Sequence, residues 1–267
     1  MSFLDALPER YRVILCDIWG VVHDGLALYP GAAERLRKWR SEGRFVLLIT
    51  NAPRTAEAVE QYLSRLGLER GAWDAIASSG EAGIGALNAL GRPVGFLGTA
   101  GDRAVLEGRG VRIAESEDFT HLACTGFQEG RWDLGDYSAE LERWARGGVH
   151  MHCLNPDRVV MYGKRQIPCA GAIADVYEAV GGRVTWYGKP HEAIYEHALA
   201  VARNPAREAV LAIGDGLQTD ILGAARMGFD AVFVGSGIHA GEPFPEDFAQ
   251  RYGLGEWRPV AIAESLG

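Results

Sequence analysis

Several features are scarce in this chain, and each absence narrows what it can be. Cysteine is down to four residues, Cys16, Cys124, Cys153 and Cys169, with no CxxC spacing among them. That pattern excludes a disulfide framework or a cysteine zinc site. It fits small core residues in a reducing compartment, and so a cytoplasmic protein. No run approaches the roughly 18 apolar residues of a membrane helix, and the amino terminus has no basic stretch leading into a long apolar one. A membrane partner is therefore not expected. Positive charge is also short: 27 Lys and Arg against 35 Asp and Glu leave a net charge of −8, without a basic stripe. Binding driven by neutralising nucleic-acid phosphates is not expected, although local charge in a cleft can still favour a small anion. There is no internal repeat and no low-complexity tract.

What the chain does have is alternation. At 267 residues and 48% hydrophobic it suits one large domain or two modest ones. Apolar runs at Val13-Ile14-Leu15-Cys16 and Phe45-Val46-Leu47-Leu48-Ile49 predict buried strands. Between and after them, Leu36 and Trp39, then Val59, Tyr62, Leu63 and Leu66, lie at helical spacing. A short strand at Ala75-Ile76-Ala77-Ser78 follows. The alternation restarts at Pro93–Gly98, continues through His121–Thr125, Val149–Leu154 and Val184–Tyr187, and closes with Ala209–Ile213 and Ala231–Gly235. Strand, helix, strand, helix predicts an α/β protein with parallel strands and right-handed crossovers.

The polar residues sit where those strands end. The first strand offers Asp17, followed by Gly20; taken alone, Asp17 reads equally as a nucleophile or metal ligand and as a cap. The second strand offers Thr50 and Asn51, a glycine- and proline-bounded loop offers Lys189, and a late strand offers Asp215 with Asp220 five residues on. In open α/β sheets ligands bind outside the carboxyl ends of strands. Two to three carboxylates beside a glycine-lined loop suit a hard cation, foremost Mg²⁺. A hydroxyl, an amide and an ammonium suit a phosphate's oxygens. Phosphoryl transfer uses this combination.

At this point the chain resembles the haloacid dehalogenase superfamily of aspartate-nucleophile phosphatases, in its class IIA, the NagD-like and p-nitrophenylphosphatase-like group. The residues that carry the resemblance are Asp17-Ile18-Trp19-Gly20-Val21, Pro30-Gly31-Ala32, Ile49-Thr50-Asn51, Asn155-Pro156-Asp157, Gly188-Lys189-Pro190 and Gly214-Asp215-Gly216-Leu217-Gln218-Thr219-Asp220. They span nearly the whole chain. The resemblance implies a Rossmann-like parallel-sheet core at 1–81 and 181–267, with an α/β cap inserted at 82–180. It implies Asp17 as nucleophile and Mg²⁺ ligand, the Trp19 carbonyl as a second ligand, and Asp215 and Asp220 as further ligands. Thr50 and the Asn51 amide would hold the phosphoryl group. Lys189 would screen Asp17 and stabilise the transition state, and Asp157 would reach the leaving group, although Asn-Pro-Asp is also ordinary turn chemistry. The expected activity is Mg²⁺-dependent hydrolysis of a small phosphorylated metabolite, foremost a sugar phosphate, through an aspartyl-phosphate. A homodimer through the cap is a further expectation of the resemblance.

One position departs from the family pattern. The second Asp of the first motif, which protonates the leaving group, is replaced by Trp19. General acid–base catalysis is typically worth about 10²–10⁴-fold. The acid could come instead from His23, Asp24 or the cap; otherwise the protein is a weakly active or non-catalytic phospho-ligand-binding protein. The indole of Trp19 is expected to pack. Among His150, His152, His191, His197 and His239, only His150 and His152 share a strand face, and a structural role is expected of them.

Overall fold

The apolar runs at Val13–Cys16, Val46–Ile49 and Val210–Ile213 become strands buried on both faces, as parallel strands covered by helices must be. A computed structural model describes residues 2–162, 165–237 and 241–267. In chain order the strands are β1 Val13–Asp17, β2 Phe45–Thr50, β3 Ala75–Ser78, β4 Gly95–Leu97, β5 His121–Cys124, β6 His150–Cys153, β7 Val159–Tyr162, β8 Arg165–Pro168, β9 Arg183–Trp186, β10 Val210–Gly214, β11 Asp230–Val234 and β12 Ala261–Ala263. The helices are α1 Ala32–Ser41, α2 Ala56–Arg65, α3 Ser79–Ala89, α4 Ala100–Gly108, α5 Ser138–Arg146, α6 Ala170–Ala179, α7 Glu192–Val201, α8 Leu222–Met227 and α9 Phe248–Tyr252.

Two compact units result. The first comprises Met1–Thr50, Glu57–Ala77 and Lys189–Gly267; the second comprises Asn51–Ala56 and Ser78–Gly188. The first holds a six-stranded sheet of order β12-β11-β10-β1-β2-β3. Strand β1 pairs in parallel with β10 on one side and β2 on the other. The chain leaves β1 toward β2 and β3 and leaves β10 toward β11 and β12. The direction of winding therefore reverses between β1 and β10, which opens a crevice at their carboxyl ends. Leu15, Leu47, Ile49, Tyr195, Phe229 and Phe233 are among the side chains that fill this unit's core.

The second unit has its own sheet of order β4-β5-β6-β9, all parallel, and its own core, with Leu122, Met151, Cys153, Tyr137, Trp144 and Tyr177. A two-stranded antiparallel hairpin, β7 with β8, belongs to it as well. Ser78 caps α3 by accepting from the Glu81 N–H at 3.1 Å, and Thr99 caps α4 by accepting from the Asp102 N–H at 3.1 Å.

The division differs in detail from the expected ranges 1–81, 82–180 and 181–267. Strand β9 pairs with β6, with His152 opposite Thr185 and Cys153 opposite Trp186. The run Val184–Tyr187 thus completes the second sheet, and the chain returns to the first unit only at Lys189. The physical reason is register: this apolar run has its open parallel neighbour in β6. The hairpin β7–β8 was not expected from periodicity, because its residues show neither a long apolar run nor clean alternation.

Candidate active site

Asp17 is the last residue of β1, and its register partner on β2 is Ile49, so Thr50 lies one step beyond it on the adjoining strand. The backbone then turns tightly. The Val22 and His23 N–H groups both donate to the Ile18 carbonyl, at 2.8 and 3.2 Å, and the Gly20 N–H donates to the His23 carbonyl at 2.8 Å. Gly20 holds φ of +87°, and a Cβ there would run into the Asp215 carboxylate. Only glycine meets both conditions without strain. Asp215 itself follows β10, and the Ser236 hydroxyl donates to the Gly20 carbonyl at 3.1 Å, joining a third loop to the same place.

Lys189 is the pivot of the cluster. Its ammonium donates to Asp17 Oδ1 and, at 2.7 Å, to Asp220 Oδ1. The three side chains are only 4–7% exposed. Asp220 turns its other oxygen into its own loop, accepting from the Gly216 N–H at 3.1 Å and the Thr219 hydroxyl at 3.2 Å. One carboxylate oxygen from each of Asp17, Asp215 and Asp220 lies within 4.8 Å of the other two. Burial and the neighbouring Asp220 charge push the Asp17 carboxyl well above its ordinary range, against the pull of Lys189. Burial also works against the Lys189 ammonium, yet Asp17 and Asp220 outweigh it and hold the lysine charged.

These groups fit a hard dication on two grounds. All the donors offered are oxygens, which Mg²⁺ prefers. A dication among the three carboxylates would also offset the crowding of like charge that pushes the Asp17 carboxyl up.

The expected site residues fall into two sets. Asp17, Thr50, Lys189, Asp215 and Asp220 belong to the first unit and are buried there. Asn51 and Asp157 belong to the second, where Asn51 Nδ2 donates to Asp157 Oδ1 at 2.8 Å. The Asp157 N–H donates to Asn155 Oδ1 at 3.1 Å, so the turn chemistry of Asn-Pro-Asp is realised too. Ser79 escaped the sequence reading: its buried hydroxyl lies within hydrogen-bond reach of the carbonyls of Asn51, Ala52 and Leu154. Small polar residues at a strand-to-helix junction carry no signal of such a role.

The candidates for replacing the missing acid are committed elsewhere. His23 is buried, with its Nδ1 accepting from the Gly25 N–H at 2.9 Å and its ring edge-on to Trp19 and Tyr62. Burial pushes its pKa down to about 4, so near neutrality the ring lacks the imidazolium proton a general acid would donate. Asp24 Oδ1 accepts from the Leu26 and Ala27 N–H groups at 2.8 and 2.9 Å, and those bonds lower its pKa. The Trp19 indole packs on Gly25, in keeping with a packing role. His239 lies outside the described residues. No helix among the described residues is long and apolar enough to cross a membrane.

Comparisons with known proteins point to one family. A haloacid dehalogenase-like hydrolase model matches residues 14–112, and a second model of the same kind matches residues 186–267. A solved haloacid dehalogenase-like hydrolase from Brucella suis 1330 is 32% identical, with a TM-score of 0.86 and full coverage of both chains. The ribonucleotide monophosphatase NagD of Escherichia coli K12 is 28% identical over 84% of this chain and 88% of its own. The D-glycerol 3-phosphate phosphatase of Mycobacterium tuberculosis is 28% identical over 89% of this chain and 66% of its own.

Proposed function

Because this chain belongs to the haloacid dehalogenase-like hydrolases, in their NagD-like class IIA branch, we propose that it is a Mg²⁺-dependent phosphatase of a small phosphorylated metabolite, with Asp17 as nucleophile. The observation that carries the reading is the Lys189 ammonium bridging Asp17 and Asp220, with Asp215 alongside. In this proposal one Asp17 oxygen is steered by Lys189 while the carboxylate attacks phosphorus. The Asp17 O–P bond forms as the ester P–O bond breaks, and the bond's electron pair leaves on the ester oxygen, which takes its proton from water to give the alcohol. Water then cleaves the aspartyl-phosphate, releasing inorganic phosphate and restoring Asp17. The Thr50 hydroxyl and the adjoining Asn51 N–H donate to the phosphoryl oxygens, preorganised donors of the kind that stabilise developing charge. Asp17, Asp215, Asp220 and the Trp19 carbonyl would hold Mg²⁺, which supplies charge shielding between carboxylate and phosphate.

A polyol or sugar phosphate is the proposed substrate class. The two named relatives act on a ribonucleotide and on glycerol 3-phosphate, both esters of polyhydroxylated alcohols. Four buried, unbridged cysteines fit a cytoplasmic setting. The test is hydrolysis of p-nitrophenyl phosphate with and without Mg²⁺. Asp17→Asn should lose at least about 10⁴-fold in turnover, as expected for removing a nucleophile, and full activity in that variant would end the proposal.

The Trp19 position favours a second reading, slow turnover with phospho-ligand binding as the main role, because neither His23 nor Asp24 is free to serve as acid. A phenolic leaving group needs little protonation and an alkyl one needs much. On this reading the wild type hydrolyses p-nitrophenyl phosphate far faster than glycerol phosphate, and Trp19→Asp narrows that gap by about 10²–10⁴-fold. Equal rates on the two substrates in the wild type would remove the second reading.

A further inference from the structure

The second unit carries a polar cluster that the proposed phosphatase chemistry does not use. On β5 and β6, His121 sits directly opposite His150, and His152 follows two residues along on the same face. The alternate residues Leu122, Met151 and Cys153 point the other way, into the core. Three imidazoles therefore share one patch of sheet. Their rings lie 4.8–5.6 Å apart between centroids, and one ring nitrogen from each lies within 4.8 Å of the other two. His121 Nδ1 and His152 Nε2 are already 2.9 Å apart, sharing one proton.

Each ring of the β6 pair is also held from behind. His150 Nε2 meets the Thr185 hydroxyl at 2.8 Å, and His152 Nδ1 meets the Tyr187 hydroxyl at 2.8 Å. Imidazoles that bind metals are oriented in this way, with one nitrogen anchored while the ring presents the other. Burial, with Arg183 near all three rings and Arg92 near His121, pushes their pKa values below the ordinary one and so favours neutral imidazole, the ligating form. The same two arginines oppose a bare cation and favour one that carries an anionic or hydroxide partner. His152 is buried, whereas His121 and His150 remain partly open to solvent, which leaves a way in.

We propose that His121, His150 and His152 form a binding site for a transition-metal dication of the Zn²⁺ class, with a fourth position open to water or a small anion. The donor set selects the metal. Three imidazole nitrogens suit Zn²⁺, Ni²⁺ or Cu²⁺ and not Mg²⁺, which takes oxygen ligands. Three protein ligands with one vacant position is the arrangement of zinc sites that keep a reactive or exchangeable ligand. On binding, the proton between His121 Nδ1 and His152 Nε2 moves to the far nitrogen of whichever ring holds it, and the metal takes its place.

The test is equilibrium dialysis of the full chain against Zn²⁺ in excess Mg²⁺, followed by metal analysis. The wild type and Asp215→Asn should each retain one equivalent of zinc. His121→Asn and His150→Asn, both at partly exposed positions, should each weaken binding by at least about 100-fold, and Tyr187→Phe by about 10-fold. Thermal unfolding in chelator checks that the variants are folded. A measurement without variants is the imidazole ¹⁵N spectrum, in which Zn²⁺ should shift three rings together. Unchanged zinc content in the histidine variants would overturn the proposal, as would zinc in the wild type that disappears with Asp215→Asn. If Zn²⁺ leaves all ring signals in place, the histidines are a hydrogen-bonded row and nothing more.

Discussion

The two units build their polar clusters on the same kind of parallel sheet but at different places on it. In the first unit the polar groups stand at strand ends, where β1 and β10 part and their following loops diverge. Asp17 and Asp215 arrive there because topology delivers strand ends to one edge, and Lys189 and Asp220 join them from a loop and a helical turn elsewhere in the chain. In the second unit the polar groups stand in mid-strand on a sheet face, and register alone brings His121 to His150. The first cluster is made of charges and the second of neutral rings. Charges buried together depend on one another, since removing one strands the rest. Neutral groups can each be satisfied by a single nearby partner, as Thr185 and Tyr187 do for the histidines. The first cluster should therefore fail as a whole and the second piecemeal.

Lys189→Met is the strongest way to break that contrast. It leaves Asp17 and Asp220 buried without the ammonium that both now accept from. Loss of one partner of a buried ionic cluster costs about 3–5 kcal/mol. Chemical unfolding in chelator should show that loss, and Mg²⁺ should restore part of it by binding only the folded form. Phosphatase turnover should fall by about 10²–10³-fold, the usual effect of losing a preorganised electrostatic group. A variant as stable as the wild type in chelator would mean that the cluster is not held by its charges.

How far the sequence exposes each cluster follows from the same difference. Strand ends are visible in a sequence: an apolar run stops, a polar residue follows, and glycine permits the turn. That is why Asp17, Thr50, Lys189 and Asp215 stood out, and why a parallel α/β architecture was legible. The pairing of one strand with another is not written locally. His150 and His152 could be placed on one face by their spacing, but His121 joins them only through the β5–β6 register. The same limit explains β9, whose apolar run fits either sheet until its neighbour is known. It also explains Ser79, whose three carbonyl neighbours come from two separate segments.

A smaller effect sharpens the contrast within the first unit, where one buried histidine is neutral. His23 has a folded pKa of about 4, below its ordinary 6.5. The unfolded chain therefore takes up a proton first as pH falls. The contribution of His23 is fully present above pH 6.5 and is lost as pH drops from 6.5 toward 4. Between pH 7 and pH 5 the loss should be about 2 kcal/mol. In His23→Asn, whose side-chain oxygen can still accept from the Gly25 N–H, the pH dependence of unfolding should be flatter by about that amount. An identical slope in wild type and variant would show that the ring is not withheld from protons.

The smallest predicted effect tests whether neutral contacts in the second unit really act one at a time. The Ser79 hydroxyl has one proton and three carbonyl oxygens within reach, those of Asn51, Ala52 and Leu154. It can donate to only one of them at any instant. Ser79→Ala then removes one neutral hydrogen bond at an otherwise unchanged backbone, and Ser79 is fully buried, so water does not replace the donor. A neutral hydrogen bond contributes about 0.5–1.5 kcal/mol, and an acceptor left buried adds to the loss. The expected destabilisation is about 1–2 kcal/mol by chemical unfolding, well short of Lys189→Met. Should Ser79→Ala cost as much as the lysine variant, the neutral contacts of the second unit would be as interdependent as the charges of the first, and the contrast between the two clusters would have to be drawn from topology alone.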